Sequence, residues 1–288
     1  MYAITGITGQ VGGAVADSLL KQGLKVRAIL RNRDKAREWE TKGCEVAIGD
    51  FNEPASLAAA FSGVQGGFVM IPANFAPGEG FPETRAVIAS LKQALTAARP
   101  PKIVCLSSIG AHRSSGLGLI TQLNILETEL EGVGPSVAFV RPGWFMENSL
   151  WDVASAKTTG EIRSFLFPLD KTVPMIATAD IGKISAGILA QDWKGRRITE
   201  MEGPQRYSPN DLAKAFSKSL ARPVRAVALP REQWEAFFRA QAPANPKLRM
   251  EMLDGLNSGW IAFEGSPAEH VTGQTGLESV IDSLVARA

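Results

Sequence analysis

Met1-Tyr2-Ala3-Ile4-Thr5-Gly6-Ile7-Thr8-Gly9-Gln10-Val11-Gly12 opens the chain, and its reading decides the fold. A short apolar run feeds directly into Gly-x-x-Gly-x-x-Gly, and Val11 to Leu20 then reads as a helix. Strand, glycine loop and helix, in that order, are what a dinucleotide pyrophosphate requires. The glycines permit the tight turn and let backbone N–H groups approach phosphate. The helix N-terminus adds partial positive charge.

Outward from this start, strands alternate with helices to about residue 142. Strands are expected at Tyr2–Thr5, Lys25–Leu30, Glu45–Ile48, Gly67–Ile71, Lys102–Leu106 and Ser136–Val140. Helices are expected at Gln10–Lys21, Lys35–Thr41, Pro54–Phe61, Pro82–Ala98 and Leu119–Leu130. That rhythm implies a parallel sheet with right-handed crossovers. The 67–71 run is apolar throughout, as a strand buried on both faces should be. The fold class is therefore α/β, a Rossmann-type doubly wound parallel sheet with a small C-terminal mixed α/β substrate lobe. The expected division is residues 1–142 for dinucleotide binding and 143–288 for late sheet elements plus the smaller lobe.

After Gly143 the rhythm breaks. Trp144 to Ser155 reads as an apolar helix, Ala179–Ala190 as another, and Arg197–Met201 as a strand. Ser208–Leu220 is a capped helix opening Ser208-Pro209-Asn210-Asp211. A strand is expected at Val224–Leu229, then helices near 230–240, 245–257 and 275–286. The Gly- and Pro-rich loop Pro72–Phe81 is either a lid or an inert surface loop.

Bulk properties narrow the function classes. The chain has 288 residues, 45% hydrophobic, with a net charge of +2 and no basic block, so nucleic acid is not an expected partner. No apolar stretch approaches the roughly 20 residues that span a bilayer. A strand at residue 2 leaves no room for a signal peptide, so a cytoplasmic protein is expected. Cys44 and Cys105 fall in apolar strand-like runs and read as reduced core residues. His112 and His270 are far apart, so no metal site is expected.

Candidate chemistry sits at strand ends. The second strand closes in Arg31-Asn32-Arg33. A carboxylate there would bond both ribose hydroxyls, whereas Arg31 suits a 2′-phosphate through two charge-assisted bonds, or is simply a solvated strand-end arginine. NADP(H) is therefore expected over NAD(H). Asp50 and Phe51 suit an adenine ring, or form a plain turn with a core phenylalanine. Switch-point geometry brings Ile71-Pro72-Ala73-Asn74, Leu106-Ser107-Ser108-Ile109-Gly110 and Arg141-Pro142-Gly143-Trp144-Phe145 to one edge. Ile71, Pro72, Pro142 and Gly143 are assigned to the cofactor, the last two leaving open backbone near its nicotinamide. Asn74, Trp144 and Phe145 are assigned to substrate. Trp144, Phe145 and Met146 offer flat apolar surface for an aromatic molecule, or a helix face packed into the second lobe. Ser107 and Ser108 bond a carbonyl or nicotinamide amide, or cap strand ends.

These segments, with Thr5-Gly6-Ile7-Thr8-Gly9-Gln10-Val11-Gly12, Gly49-Asp50-Phe51, Ala179-Asp180-Ile181-Gly182, Gly203-Pro204-Gln205-Arg206-Tyr207-Ser208 and His270-Val271-Thr272-Gly273-Gln274-Thr275, resemble the NmrA-like group of atypical short-chain dehydrogenases. The resemblance covers nearly the whole chain. It implies an NADPH-dependent reductase of quinones or dyes, a cytoplasmic monomer or homodimer acting on a small aromatic substrate. The alternative it implies is a regulator that senses NADP(H) without turnover and binds a partner protein. Pyrophosphate is then assigned to Gly6, Thr8, Gly9, Gln10, Val11 and Gly12.

The departure from short-chain dehydrogenases is informative. They set a Tyr four residues before a Lys on the helix after the fifth strand. Here the only tyrosines are Tyr2 and Tyr207, and Ile120 and Asn124 occupy those positions. Such proton donation is worth about 10²–10⁴ in rate, so alcohol–ketone chemistry and sugar epimerisation are disfavoured. Ser107, His112 and Asn124 are the remaining candidates for a catalytic role, with His112 either protonating product or standing solvated in its loop.

Overall fold

The computed structural model describes residues 1–241 and 246–288. Eight strands form one all-parallel sheet. In chain order they are β1 (Tyr2–Ile4), β2 (Val26–Leu30), β3 (Glu45–Ile48), β4 (Gly66–Val69), β5 (Ile103–Leu106) and β6 (Ser136–Pro142), followed after short strands β7 (Trp144–Phe145), β8 (Glu161–Ser164) and β9 (Met175–Ile176) by β10 (Gly195–Glu202), then, after β11 (Arg225–Ala228), by β12 (Glu269–Thr272). Their spatial order is β12-β10-β6-β5-β4-β1-β2-β3. The chain winds outward from β1 through β2 to β3, then restarts on the other side of β1 at β4. That reversal makes the crevice beyond the carboxyl ends of β1 and β4 the place where such sheets bind ligands.

Helices cover both faces: α1 (Gln10–Lys21), α2 (Ala36–Thr41), α3 (Pro54–Phe61), α4 (Pro82–Ala98), α5 (Thr121–Leu130) and α7 (Thr178–Ala190), while the short α6 (Val153–Thr158) packs into the lobe core. Ile4, Val15, Leu19, Phe68, Val140 and Ile181 build the core on one face, and Phe61, Leu91, Ile103, Leu126 and Phe139 that on the other. Further helices α8 (Pro209–Leu220), α9 (Trp234–Gln241), α10 (Lys247–Ser258) and α11 (Leu277–Arg287) gather around a third core that includes Phe216, Trp234, Leu253 and Ile281. Cys44 and Cys105 are buried. Among the described residues no helix is long and apolar enough to cross a membrane.

Most expected elements stand within a residue or two of their reading, and each shift has a cause. β4 stops at Val69 because the Met70 N–H turns to the Thr5 hydroxyl oxygen at 2.9 Å. β6 runs on to Pro142 because β10 pairs with it from Gly195↔Ser136 to Met201↔Pro142. Ser208 caps α8 in a complete capping box with Asp211. The helix expected over Trp144–Ser155 does not form. Trp144 and Phe145 instead pair with Met175 and Ile176, a 3₁₀ stretch covers Met146–Asp152, and α6 starts only at Val153. The Trp144 N–H donates to the Pro174 carbonyl, which commits this segment to an extended path. The helix expected from 245 is α10, starting at Lys247; residue 245 lies outside the described residues.

The packing of α7 on α1 depends on Gly182. A Cβ there would stand 2.4 Å from the Ala14 Cβ and 2.8 Å from the Val15 nitrogen, both on a helix with little room to move. Gly187, a turn and a half later, has nothing within 4 Å of its own Cβ position. Gly182→Ala is therefore expected to destabilise the protein by about 1–3 kcal/mol. Gly187→Ala should stabilise it by about 0.4–1 kcal/mol through the unfolded chain. Urea denaturation of both variants measures this.

Candidate functional site

The site grows from the turn between β1 and α1. Gly6 adopts φ +61°, a conformation that favours glycine, and the Met70 side chain lies 2.4 Å from where its Cβ would be. The Gly9 N–H donates to the Gly6 carbonyl at 2.9 Å. Gly12 packs on the same carbonyl: a Cβ there would sit 2.3 Å from the Gly6 oxygen. Gly9 is the N-cap of α1 and has no side chain to cap it. The N–H groups of the first helical turn thus lack intrahelical acceptors and face the crevice mouth, where Thr8, Gly9 and Gln10 are exposed. Val11 is only 4% exposed, so it can offer backbone alone.

A cleft of about 360 Å³ runs from this turn across the ends of β2 and β3. It brings together Gly6, Thr8, Arg31, Asp50, Phe51 and Pro72 of the assigned residues, and adds Asn32 and Lys35. Arg31 is exposed at its rim and has no hydrogen-bond or carboxylate partner among the described residues, unlike Arg27 on the same strand, which is held by Glu45. One Asp50 oxygen accepts from the backbone and side-chain nitrogens of Asn52 at 2.8 and 3.0 Å; the other is without a partner among the described residues. A Cβ on Gly49 would meet Ile29 at 2.8 Å, so a glycine keeps the cleft wall close.

At the carboxyl ends of β5 and β6 the structure corrects several expectations. The Ser107 hydroxyl donates to Glu127 and is 4% exposed, so it bonds the protein's own interior. Fully buried Arg141 pairs with the same carboxylate through Nε and Nη2 at 2.8 and 2.6 Å, and with Glu264 through Nη1. Burial alone would lower the Arg141 pKa, but these two carboxylates more than offset it and raise it. The Pro142–Gly143 backbone is not open. The Pro142 carbonyl accepts from Ile109, the Gly143 N–H donates to Met201, and Pro174 leaves no room for a Gly143 Cβ. Asn124 donates to the Ala111 carbonyl at 2.9 Å, so it ties down the loop after β5, and Ile120 is core. His112 is half-buried in that loop, its pKa lowered mainly by burial, and its Nδ1 has no partner among the described residues. The Ser108 hydroxyl is half-exposed and likewise unbonded among the described residues.

The exposed aromatic surface also differs from expectation. Met146 is fully buried, and Trp144 and Phe145 are half-buried against the lobe core and the sheet core respectively. The most exposed rings among the described residues are Phe75 and Trp151, 56% and 63% exposed, in edge contact at 6.5 Å. Asn74, assigned to substrate, spends its side chain on the Ala76 N–H, and its carbonyl accepts from Gln122. With Glu83 on the Gly78 N–H and Arg85 on the Gly80 carbonyl, the Pro72–Phe81 loop is pinned at three points. Glu147 accepts from the N–H and hydroxyl of Thr178 and so caps α7, and the same hydroxyl lies 3.5 Å from the Gln10 amide oxygen. Sequence alone could not single out Glu147, because Thr178 lies 31 residues away. Asp152 follows the exposed Trp151; burial raises its carboxyl to about 7.

Comparison with known proteins identifies the family and the fold. Residues 2–254 match the model of the NmrA-like family. The chain belongs to the NmrA-like family. An NAD(P)H azoreductase of Xenophilus azovorans is 31% identical over 274 residues, covering 95% of this chain and 90% of that protein. The solved NADPH-dependent quinone oxidoreductase of Escherichia coli, in complex with NADPH, superposes with a TM-score of 0.80 at 26% identity, covering 99% of both chains. A triphenylmethane reductase of Citrobacter shares the fold, with a TM-score of 0.77 at 21% identity over 99% of each chain.

In this NmrA-like protein the positions compared with the Tyr–Lys pair of short-chain dehydrogenases hold Ile120, which is core, and Asn124, and one turn further along α5 Glu127 joins Arg141. Removing one partner leaves a buried charge uncompensated. Glu127→Ala is expected to destabilise by about 3–5 kcal/mol, and Glu127→Met with Arg141→Met by much less. Urea denaturation of the single and double variants checks this.

Proposed function

We propose that this chain reduces a quinone or a related conjugated aromatic acceptor at the expense of NAD(P)H, with NADPH preferred. The observation that carries the reading is the cleft at the β1/β4 switch point, which begins at a glycine turn with unpaired helix N–H groups and ends at an unpaired arginine. The residues fit a dinucleotide. Gly6 and Gly12 let the turn close tightly on Met70 and on the Gly6 carbonyl, and Gly9, whose Cβ position is open but for the Gly6 carbonyl at 3.3 Å, leaves bare backbone where a pyrophosphate would approach. The backbone of Gly6, Thr8, Gly9, Gln10, Val11 and Gly12 would hold it, Arg31 the 2′-phosphate, and Asp50 with Phe51 the adenine. Ile71, Pro72, Pro142 and Gly143 would border the nicotinamide by shape, since the Pro142 carbonyl and Gly143 N–H are engaged.

When bound, such a cofactor supplies hydride. The protein's share is orientation and exclusion of water, worth several powers of ten in rate when geometry is right. Both tyrosines are buried, the Tyr207 hydroxyl accepting from the Leu277 N–H, and Ser107 and Asn124 are occupied internally. A quinone suits this arrangement. It is itself electrophilic, so hydride can reach it without simultaneous proton donation, and a proton then comes from solvent or from a half-exposed group such as His112. The relatives named above are an azoreductase and a quinone reductase, and both names describe conjugated acceptors of this kind. No specific observation favours the regulator that only senses NADP(H).

NADPH oxidation against a panel of quinones and azo dyes tests the reading; steady turnover is expected, and tight binding with none would refute it. Arg31 carries the cofactor preference. Calorimetric titration should show NADPH bound at least about tenfold tighter than NADH, the difference that charge-assisted bonds to phosphate provide. Arg31→Ala should remove most of that ratio by weakening NADPH and sparing NADH. Equal affinities in the unaltered protein would exclude the Arg31 assignment.

A further inference from the structure

Arg249, on the first turn of α10, is half-buried and stands among aromatic rings rather than carboxylates. Its guanidinium carbon lies 4.4 Å from the Phe238 ring centre and 5.4 Å from that of Trp151. Its neighbours differ: Arg231 makes a bidentate pair with Asp254 and Arg239 pairs with Glu235, while Arg163, 5.8 Å from the Phe237 ring centre, is exposed to solvent. Arg249 has neither a carboxylate nor a carbonyl acceptor among the described residues. Burial alone perturbs it, and lowers its pKa. A cation in partly apolar surroundings without a counter-ion is costly unless something else supplies the charge. Two rings pack on it, and its N–H groups have no acceptor among the described residues.

The position of this cation ties it to the candidate site. Trp151 touches Phe75, and Phe75 lies three residues beyond Pro72, which lines the cleft. Gln122 holds that loop by the Asn74 carbonyl at 3.0 Å and so fixes it to the first turn of α5. α10 is fixed to the same region from the other side: Gly118, just before α5, packs so closely that a Cβ would stand 2.0 Å from the Leu248 carbonyl oxygen. Exposed Trp151 and Phe75, their rings inclined at 70°, thus form an apolar corner next to the loop that leaves the cleft, with the Arg249 guanidinium beside Trp151.

We propose that Arg249 is a specificity-determining residue that selects conjugated aromatic acceptors bearing an anionic oxyacid group, a carboxylate or sulfonate, with the ring system lying against Trp151 and Phe75. This inference rests on the reductase reading for its substrate, and goes beyond it in assigning a charge to that substrate. Arg fits such groups through two parallel N–H···O bonds, which an ammonium cannot match.

The test uses probes of one shape and two charges. Naphthalene-2-sulfonate and neutral naphthalene-2-sulfonamide are titrated into the NADP-loaded protein, its Arg249→Gln variant and its Arg249→Lys variant. The sulfonate is expected to bind at least about tenfold tighter than the sulfonamide to the unaltered protein. Arg249→Gln should bring the two within about threefold, and Arg249→Lys should fall between. The same ratio should appear in kcat/KM for 1,4-naphthoquinone-2-sulfonate against 1,4-naphthoquinone, normalised to Arg249→Gln so that the substituent's effect on ring reactivity cancels. A sulfonate preference that survives Arg249→Gln, or an equal loss of both probes, overturns the inference and leaves Arg249 a packing residue. Absence of turnover with every quinone overturns the reductase reading instead, and the binding ratio still decides the role of Arg249.

Discussion

A Cβ on Gly12 would stand 2.3 Å from the carbonyl oxygen of Gly6, and most of the molecule is arranged around that closeness. The contact lets α1 begin immediately behind β1, with its uncapped N-terminus at the crevice. It also brings α1 down on the sheet so that α7 can cross it at Gly182 against Ala14. α7 in turn is capped by Glu147 from the segment after β7, whose hydroxyl partner Thr178 lies beside Gln10. The first turn of the chain and the wall of the second lobe are therefore linked through three side chains. A larger residue in the glycine turn would disturb all of this at once.

Charge placement divides the protein into an interior that is settled and a rim that is not. Arg141 is fully buried and answered by Glu127 and Glu264; Glu200 receives the N–H groups of Glu264 and Gly265. This network holds β5, β6, β10 and the chain before β12 together beneath the carboxyl edge, and buried pairs of this kind specify arrangement more than they add stability. Arg31 and Arg249 are different. One stands at the end of the cleft and the other among rings at the lobe, and neither has a carboxylate among the described residues.

The sheet was legible in the sequence because its signals are local. Apolar runs of four to six residues alternate with helical patterns, and Pro54, Pro82 and the Ser208–Asp211 box mark helix starts within single turns. The glycine turn was legible for the same reason. What failed to read were features fixed by distant partners. Trp144–Ser155 carries apolar residues at helical spacing, yet Pro174 and Met175, some thirty residues on, draw Trp144 and Phe145 into a strand. Ser107 looks free at a strand end until Glu127 is placed beneath it. Pro142 and Gly143 look open until Ile109 and Met201 claim them. Trp151, not Trp144, faces outward, because the 3₁₀ winding of Met146–Asp152 turns a different set of side chains to the core than an α-helix would.

The central claim is that the glycine turn is a cofactor cradle and not only a tight connection. Gly9 separates the two, because it sits at φ −92° in space that is open except for the Gly6 carbonyl at 3.3 Å. A β-branched side chain there fits the backbone with little adjustment but projects from the helix N-terminus, where phosphate would have to lie. The deciding measurement is calorimetric titration of NADPH into Gly9→Val, with circular dichroism and melting recorded on the same sample. Binding weakened by about a hundredfold or more in a protein that stays folded is the predicted result, equivalent to about 2.7 kcal/mol. Unchanged NADPH affinity in the folded variant would contradict it and move the cofactor site away from this turn.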